Sequence, residues 1–268
     1  MHGELAQLIA LAAHGSAWLA GRTGALPPDL EGTNSTFRVV RQVRFELEGS
    51  LLHKPVVATD VASWLEDVRQ RGLTRLWLAI PDGAGVGDRR LIAFVGTATW
   101  FLIATEKDRP AEVWRPIWTL ADGDAPDRPT WDVEYRGRRM SKVEVPHVSP
   151  AVSMERLTGA ITAAEAFAAS EGLDDWAAVF GAALRLGEAA DAVPPFHPDM
   201  FPPAAYGRAA RHLLAMADRA FVFGGMGSWN DLALASPSAT DAYERISAEL
   251  YAAVLEAVVA AVNGSIER

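Results

Sequence analysis

The stretch Gly224-Gly225-Met226-Gly227-Ser228-Trp229-Asn230-Asp231 sets three glycines, a tryptophan and polar side chains between two apolar segments. Such a composition suits a loop that holds a ligand or a partner, with Gly225, Gly227, Ser228, Trp229, Asn230 and Asp231 as the contacts, because binding groups concentrate on loops carried by a rigid scaffold. The same residues also fit an architectural pattern. Gly224–Gly225 would end a helix running through Phe221. Ser228, with Asp231 three residues on, has the spacing of a capping box in which Asp replaces the usual Glu or Gln. Trp229 would then pack as a staple. The architectural reading is the simpler one.

Asp132-Val133-Glu134 places two carboxylates on one face of a strand, and Arg136, Arg138, Arg139 and Lys142 follow closely enough to neutralise them or to contact phosphate. Metal-assisted hydrolysis needs acids gathered around an ion, and one strand does not supply that gathering. A solvated strand face is the expectation. Arg41 falls on the apolar side of its own strand, so it should be buried in an ion pair or line a pocket. Together Arg41, His147, Asp132 and Glu134 are the groups that would converge in a hydrolase-type cleft. The six histidines form no pair at helical i, i+4 spacing, so no metal site is read, and no cofactor is expected. Gly83-Ala84-Gly85-Val86-Gly87-Asp88 follows a strand as a phosphate loop would, but it leads into another strand rather than a helix, and a hairpin loop explains it. Asp174–Asp175 is read as capping the start of a helix.

These groups need elements to hold them. Phe37, Val39, Val43, Phe45 and Leu47 alternate with Arg38, Gln42, Arg44 and Glu46, the period of a half-buried strand. Val61, Trp64, Leu65 and Val68 recur at helical spacing, with Thr59 or Asp60 as N-cap and Gly72 as stop. Leu73 to Ile80 is a strand, and strand–helix–strand over this distance implies a parallel crossover. Strands over 90–98, 100–106, 113–120 and 130–136 read as antiparallel, with Pro116 restricting its strand to an edge or a bulge. Trp100, Trp114, Trp118 and Trp131 fall in these strands, where aromatics ordinarily form core or cross-strand pairs. From Ser149 the period changes. Helices are expected from Ser149–Pro150 to Gly172, from Asp174 to Gly187, from Pro202–Pro203 through Ala220, and from Ser238 to Val262 with Asn263–Gly264 as stop. The first helix, with Leu5, Leu8, Ile9, Ala12 and Ala13, reads as amphipathic.

The fold expectation is therefore α+β. A mixed, mostly antiparallel sheet lobe with its N-terminal helix covers residues 1–148, and a helical lobe covers 149–268, with a core shared between the two left open. The chain has 268 residues and no cysteine, which excludes disulfides and thiolate chemistry and accords with a reducing, cytoplasmic setting. No segment reads as a membrane span or a signal peptide. Residues 1–148 carry 18 Lys+Arg against 19 Asp+Glu, whereas residues 149–268 carry 7 against 15, a net of −8. An acidic lobe repels nucleic acid and anionic membranes and suits a basic protein partner. The expectation is a non-catalytic interaction protein, in the manner of bacterial adaptor or immunity proteins, with homo-oligomerisation left open. The alternative is a hydrolase-type enzyme with its carboxylates in a cleft between the lobes.

Overall fold

In a computed structural model of the chain, which describes residues 3–21, 30–49, 56–80, 89–90, 100–107, 109–121 and 131–264, the alternating segments assemble into one six-stranded sheet. Its strands are β1 (Val40–Leu47), β2 (Val56–Ala58), β3 (Arg75–Ala79), β4 (Phe101–Thr105), β5 (Ala111–Leu120) and β6 (Trp131–Met140). Their order across the sheet is β2-β1-β6-β5-β4-β3. Among the described residues the one parallel pair is β1 with β6; the other neighbours are antiparallel. The fold is α+β, as the sequence implies.

The crossover is placed differently from expectation. Following the pair directions across the sheet, β1 and β3 run in opposite senses and are not neighbours. Helix α3 (Val61–Gln70) instead leads from β2 to β3, at opposite edges. Of the strand expected at 90–98 only Arg90, in a turn, is described; the rest of it and the glycine-rich stretch 83–88 lie outside the described residues. In β1, Val43 and Phe45 are buried and Gln42 and Arg44 exposed, but Val39 is 49% exposed because the strand begins only at Val40, after a 3-10 turn at Ser35–Phe37. Pro116 sits where β4 no longer borders β5, since β4 reaches only Glu112 to Trp114; that flank of β5 has no described strand neighbour beyond this point.

Val43, Phe45, Leu47, Val133, Tyr135, Trp114, Leu76, Leu78 and Leu102 point to one face of the sheet and enter the main core. Phe45 stacks between Trp64 of α3 and Tyr135, at 4.3 and 4.9 Å between ring centroids. Helix α1 (Gly3–Leu19) lies against this face. It is buried at every position from Glu4 to Ala13 and again from Gly15 to Ala17, so it is a central helix rather than the amphipathic one expected. Gly15 permits the contact: a Cβ there would lie 2.5 Å from Leu76 Cδ1.

Four helices complete the chain after the four-residue α2 (Leu30–Thr33) and α3: α4 (Pro150–Ser170), α5 (Asp174–Glu188), α6 (Arg208–Ala220) and α7 (Pro237–Asn263). Of the stops read from glycine, Gly172 and Gly72 are Schellman motifs, whereas Gly187 lies within α5, which runs on to Glu188. After α4, Gly172 takes φ +70°, its N–H donates to Ala169 O, and Leu173 N–H reaches Ala168 O at 2.8 Å. Gly72 closes α3 in the same way, with Leu73 N–H donating to Val68 O. Helix α7 is, by length and composition, apolar enough to cross a membrane, yet 78% of its apolar window is buried inside the protein. It packs on α1, α4, α6 and β3, and one hydrophobic cluster runs through residues of both halves of the chain.

The edge strand β3 shows how the halves are joined. Its outward backbone groups at Leu76 bond Ser16 Oγ, with Leu76 O accepting at 2.7 Å and Leu76 N–H donating at 3.0 Å. Those at Leu78 bond the Asn263 side chain, N–H to Oδ1 at 2.9 Å and Nδ2 to the carbonyl at 2.8 Å. An exposed edge is a template for unwanted pairing. Here two side chains from helices act as the missing neighbour strand.

Candidate functional site

The glycine-rich loop is tied into the core. Ser228 is the N-cap of a short 3-10 turn, Trp229–Asp231, and accepts from Asn230 N–H. Asp231 does not complete a capping box: its carboxylate accepts from Gly227 N–H at 2.6 Å, one residue further back than the cap. Gly227 holds φ +80°, a conformation that favours glycine. Helix α6 ends at Ala220, before Gly224–Gly225, so the glycines turn the loop rather than stop the helix. Trp229 is a core residue more than a staple. It is fully buried among Phe167, Trp176, Phe180 and Tyr243, and its indole N–H donates to Ser247 Oγ at 2.7 Å. Asn230 receives a cation: Arg89, 7% exposed in its side chain, donates to Asn230 Oδ1 and to Glu244 at 2.6 Å each, and Asn230 Nδ2 returns a bond to Arg89 O. The loop's polar groups are thus used inside the chain. Gly225, Gly227 and Asp231 remain exposed around a fully exposed Met226 at the tip.

The proposed cleft residues do not converge. A β-bulge between Val40 and Gln42 turns Arg41 out of the apolar face, where alternation alone would bury it. It is half exposed, pairs with Asp132 through Nε to Oδ1 at 2.9 Å, and borders a small depression of about 160 Å³ beside Glu31 and Thr59. Glu134 accepts from Arg136 Nε at 2.8 Å. His147 is exposed between β6 and α4, and the neighbouring Pro146 bonds Asn263, which is held on β3 at the far edge from β1. Arg41, Asp132 and Glu134 share the β1–β6 ladder; His147 does not join them.

A different polar cluster escaped the sequence. Asp199 O accepts from Asn34 Nδ2 at 2.6 Å and from His14 Nε2 at 2.9 Å. The Asp199 carboxylate accepts from Ser35 N–H at 2.8 Å and from the Ser35 hydroxyl, and Ser35 Oγ lies 3.0 Å from His197 Nδ1. Serine, histidine and aspartate therefore meet, but in an order that opposes nucleophilic catalysis. Ser35 has one hydroxyl proton and gives it to Asp199, so His197 Nδ1 carries hydrogen and donates to Ser35. A triad requires the histidine to take that proton. Burial holds both His14 and His197 below the ordinary histidine range. The residues lie 162 to 185 positions apart across the contacts that join them, and no local spacing announces the cluster.

Some acids of the helical half are paired within the chain and others are not. Glu244 receives Arg89 and Arg90, Arg156 spans Glu249 and Glu256, and Arg211 reaches Asp191. Glu171, Asp174 and Asp175, all exposed at the α4–α5 turn, meet no cation among the described residues. Asp174 and Asp175 are not caps, because Leu173 holds the cap position without a side-chain bond; they occupy the first turn of α5, where its dipole favours negative charge. Beside them a shallow groove of about 470 Å³ runs between α4 and α5, floored by Ala166, Ala169, Ala177, Ala178 and the buried Gly181 and flanked by Thr162, Glu165 and Arg185. Asp174 stands one helical turn before Ala178, on the same side of α5. Small side chains leave the two helix backbones open to side chains from outside, with negative charge at the groove's end.

No family model, curated protein or solved structure matches the chain.

Proposed function

We propose that this chain is a non-catalytic, cytosolic interaction protein that captures a basic, amphipathic segment of a protein partner in the α4–α5 groove. The observation that carries the reading is the acidic turn Glu171, Asp174 and Asp175 at the end of an apolar, small-residue groove. Helix-in-groove recognition uses such a floor for apolar anchors, and rim charges for partner choice and encounter rate. The intrachain pairing of Glu244, Glu249 and Glu256 withdraws those acids from a partner, whereas this turn keeps three exposed acids together. The test is affinity capture at low and high salt with the wild type, Asp174→Lys/Asp175→Lys, and Glu249→Gln as control. The reading expects the charge reversal to abolish recovery of a basic protein and Glu249→Gln to leave it intact. Equal recovery by all three would reject it.

A hydrolytic reading has one observation behind it, the meeting of Ser35, His197 and Asp199. Turnover of a small ester that disappears in Ser35→Ala, with the fold retained, would displace the interaction reading.

A further inference from the structure

The face of the sheet turned away from α1 carries a charge pattern that is incomplete. Along the β1–β6 ladder the charges alternate in sign: Arg44 lies opposite Glu134, and Glu46 opposite Arg136. Neighbouring contacts close the pattern, with Arg44 to Glu46 at 3.3 Å, Arg136 to Glu134 at 2.8 Å, and Arg138 to Glu48 at 3.8 Å. On the other side of β6 it fails. Arg115 of β5 stands directly opposite Arg136, with Val113 opposite Arg138 and Ile117 opposite Glu134. Like charges facing each other across strands repel. Arg115 has no carboxylate partner among the described residues; its guanidinium rests over the Phe101 ring, 4.8 Å from the centroid.

Arg115, Arg136 and Arg138, with Glu48, line a groove of about 560 Å³ whose apolar surface comes from Trp100, Val113, Pro116, Ile117 and Met140. That volume falls in the range of about 300–1,000 Å³ usual for small-molecule sites. Arginine is the side chain whose planar donor fork matches a carboxylate or phosphate. We propose that this groove binds a small organic anion, its acidic head set among Arg115, Arg136 and Arg138 and its apolar body laid on Val113, Ile117 and Met140. The anion would supply the negative charge missing opposite Arg115. Neither a bare inorganic anion nor a neutral apolar molecule satisfies both halves of the groove.

Calorimetric titration of the full chain with 2-naphthoate and octanoate tests this, beside acetate and the matching neutral alcohols. The expected result is that at least one of the two long carboxylates binds with a Kd of roughly 1 mM or tighter, while acetate and the alcohols bind at least about tenfold more weakly. Arg115→Gln should weaken that carboxylate by about tenfold or more, as loss of a charge-assisted bond does. Ile117→Glu, which sets a carboxylate beside Arg115, should do the same, with the thermal transition of each variant showing the fold kept. Ala178→Glu, in the α4–α5 groove, should leave binding unchanged. The proposal is overturned if neither carboxylate binds, if the alcohols bind as well, if both groove variants retain wild-type affinity, or if Ala178→Glu abolishes binding.

Discussion

Trp229 and Ser228 are adjacent in a loop whose composition suggests binding, yet they hold it in different ways. Trp229 sits in a cage of four aromatic side chains with its indole N–H satisfied by Ser247, so Trp229→Ala should cost about 3–5 kcal/mol in chemical denaturation. Ser228→Ala loses a single cap on a three-residue turn and should cost about 0.5–2 kcal/mol. Equal costs would mean that the loop is not anchored through its tryptophan. His14 gives a second residue-scale prediction. Burial depresses the folded-state pKa of His14 and His197 below the ordinary value of 6.5, so the unfolded chain takes up protons first as pH falls. Their contribution to stability is complete above about pH 6.5 and declines as pH drops toward the folded values. His14→Gln offers a donor to Asp199 O without titrating, and its stability should vary less than that of the wild type between about pH 7 and 5.5. Parallel curves would show that His14 does not set this dependence.

At the scale of elements, Asn263 shows why some of the structure was legible and some was not. As the residue before Gly264 it reads as a helix stop, and α7 does end there. Its larger role, pairing with both backbone groups of Leu78, spans 185 positions and leaves no local trace. Gly72 and Gly172 were readable because a Schellman stop is decided within six residues. The β1–β6 pairing was not, since it joins Arg41 to Asp132 across 91 positions and depends on the whole sheet order. The bulge at Arg41 was hidden for the same reason: alternation assigns faces only while the register is continuous. Strand β6 runs on to Met140 because its open face accepts Arg136 and Arg138, charges that in isolation read as the strand's end. The candidate groove between α4 and α5 was visible only as an acidic bias, because which acids remain unpaired is settled by Arg89, Arg90 and Arg156. Asn263→Ala would strip two buried backbone groups of their partners and should cost about 2–4 kcal/mol, with faster hydrogen exchange at Leu78. A loss under about 0.5 kcal/mol would mean the β3 edge finds other partners.

On the scale of the whole molecule, the sheet half and the helical half meet through α1, α7 and the capped edge of β3, and charge is distributed between their outer surfaces. The sheet's open face is closely balanced except at Arg115, and the helical half sets three acids that meet no cation among the described residues at one turn beside one groove. The proposed binding role can be probed at that groove without knowing the partner beforehand. The measurement is photocrosslinking in the native cell from a benzophenone side chain installed at Ala178, followed by identification of the crosslinked segment. The account predicts a single partner segment with net positive charge and apolar residues at helical spacing, lost when Asp174 and Asp175 are both changed to Lys. A crosslinked segment that is acidic, or one captured equally well after the charge reversal, would contradict it.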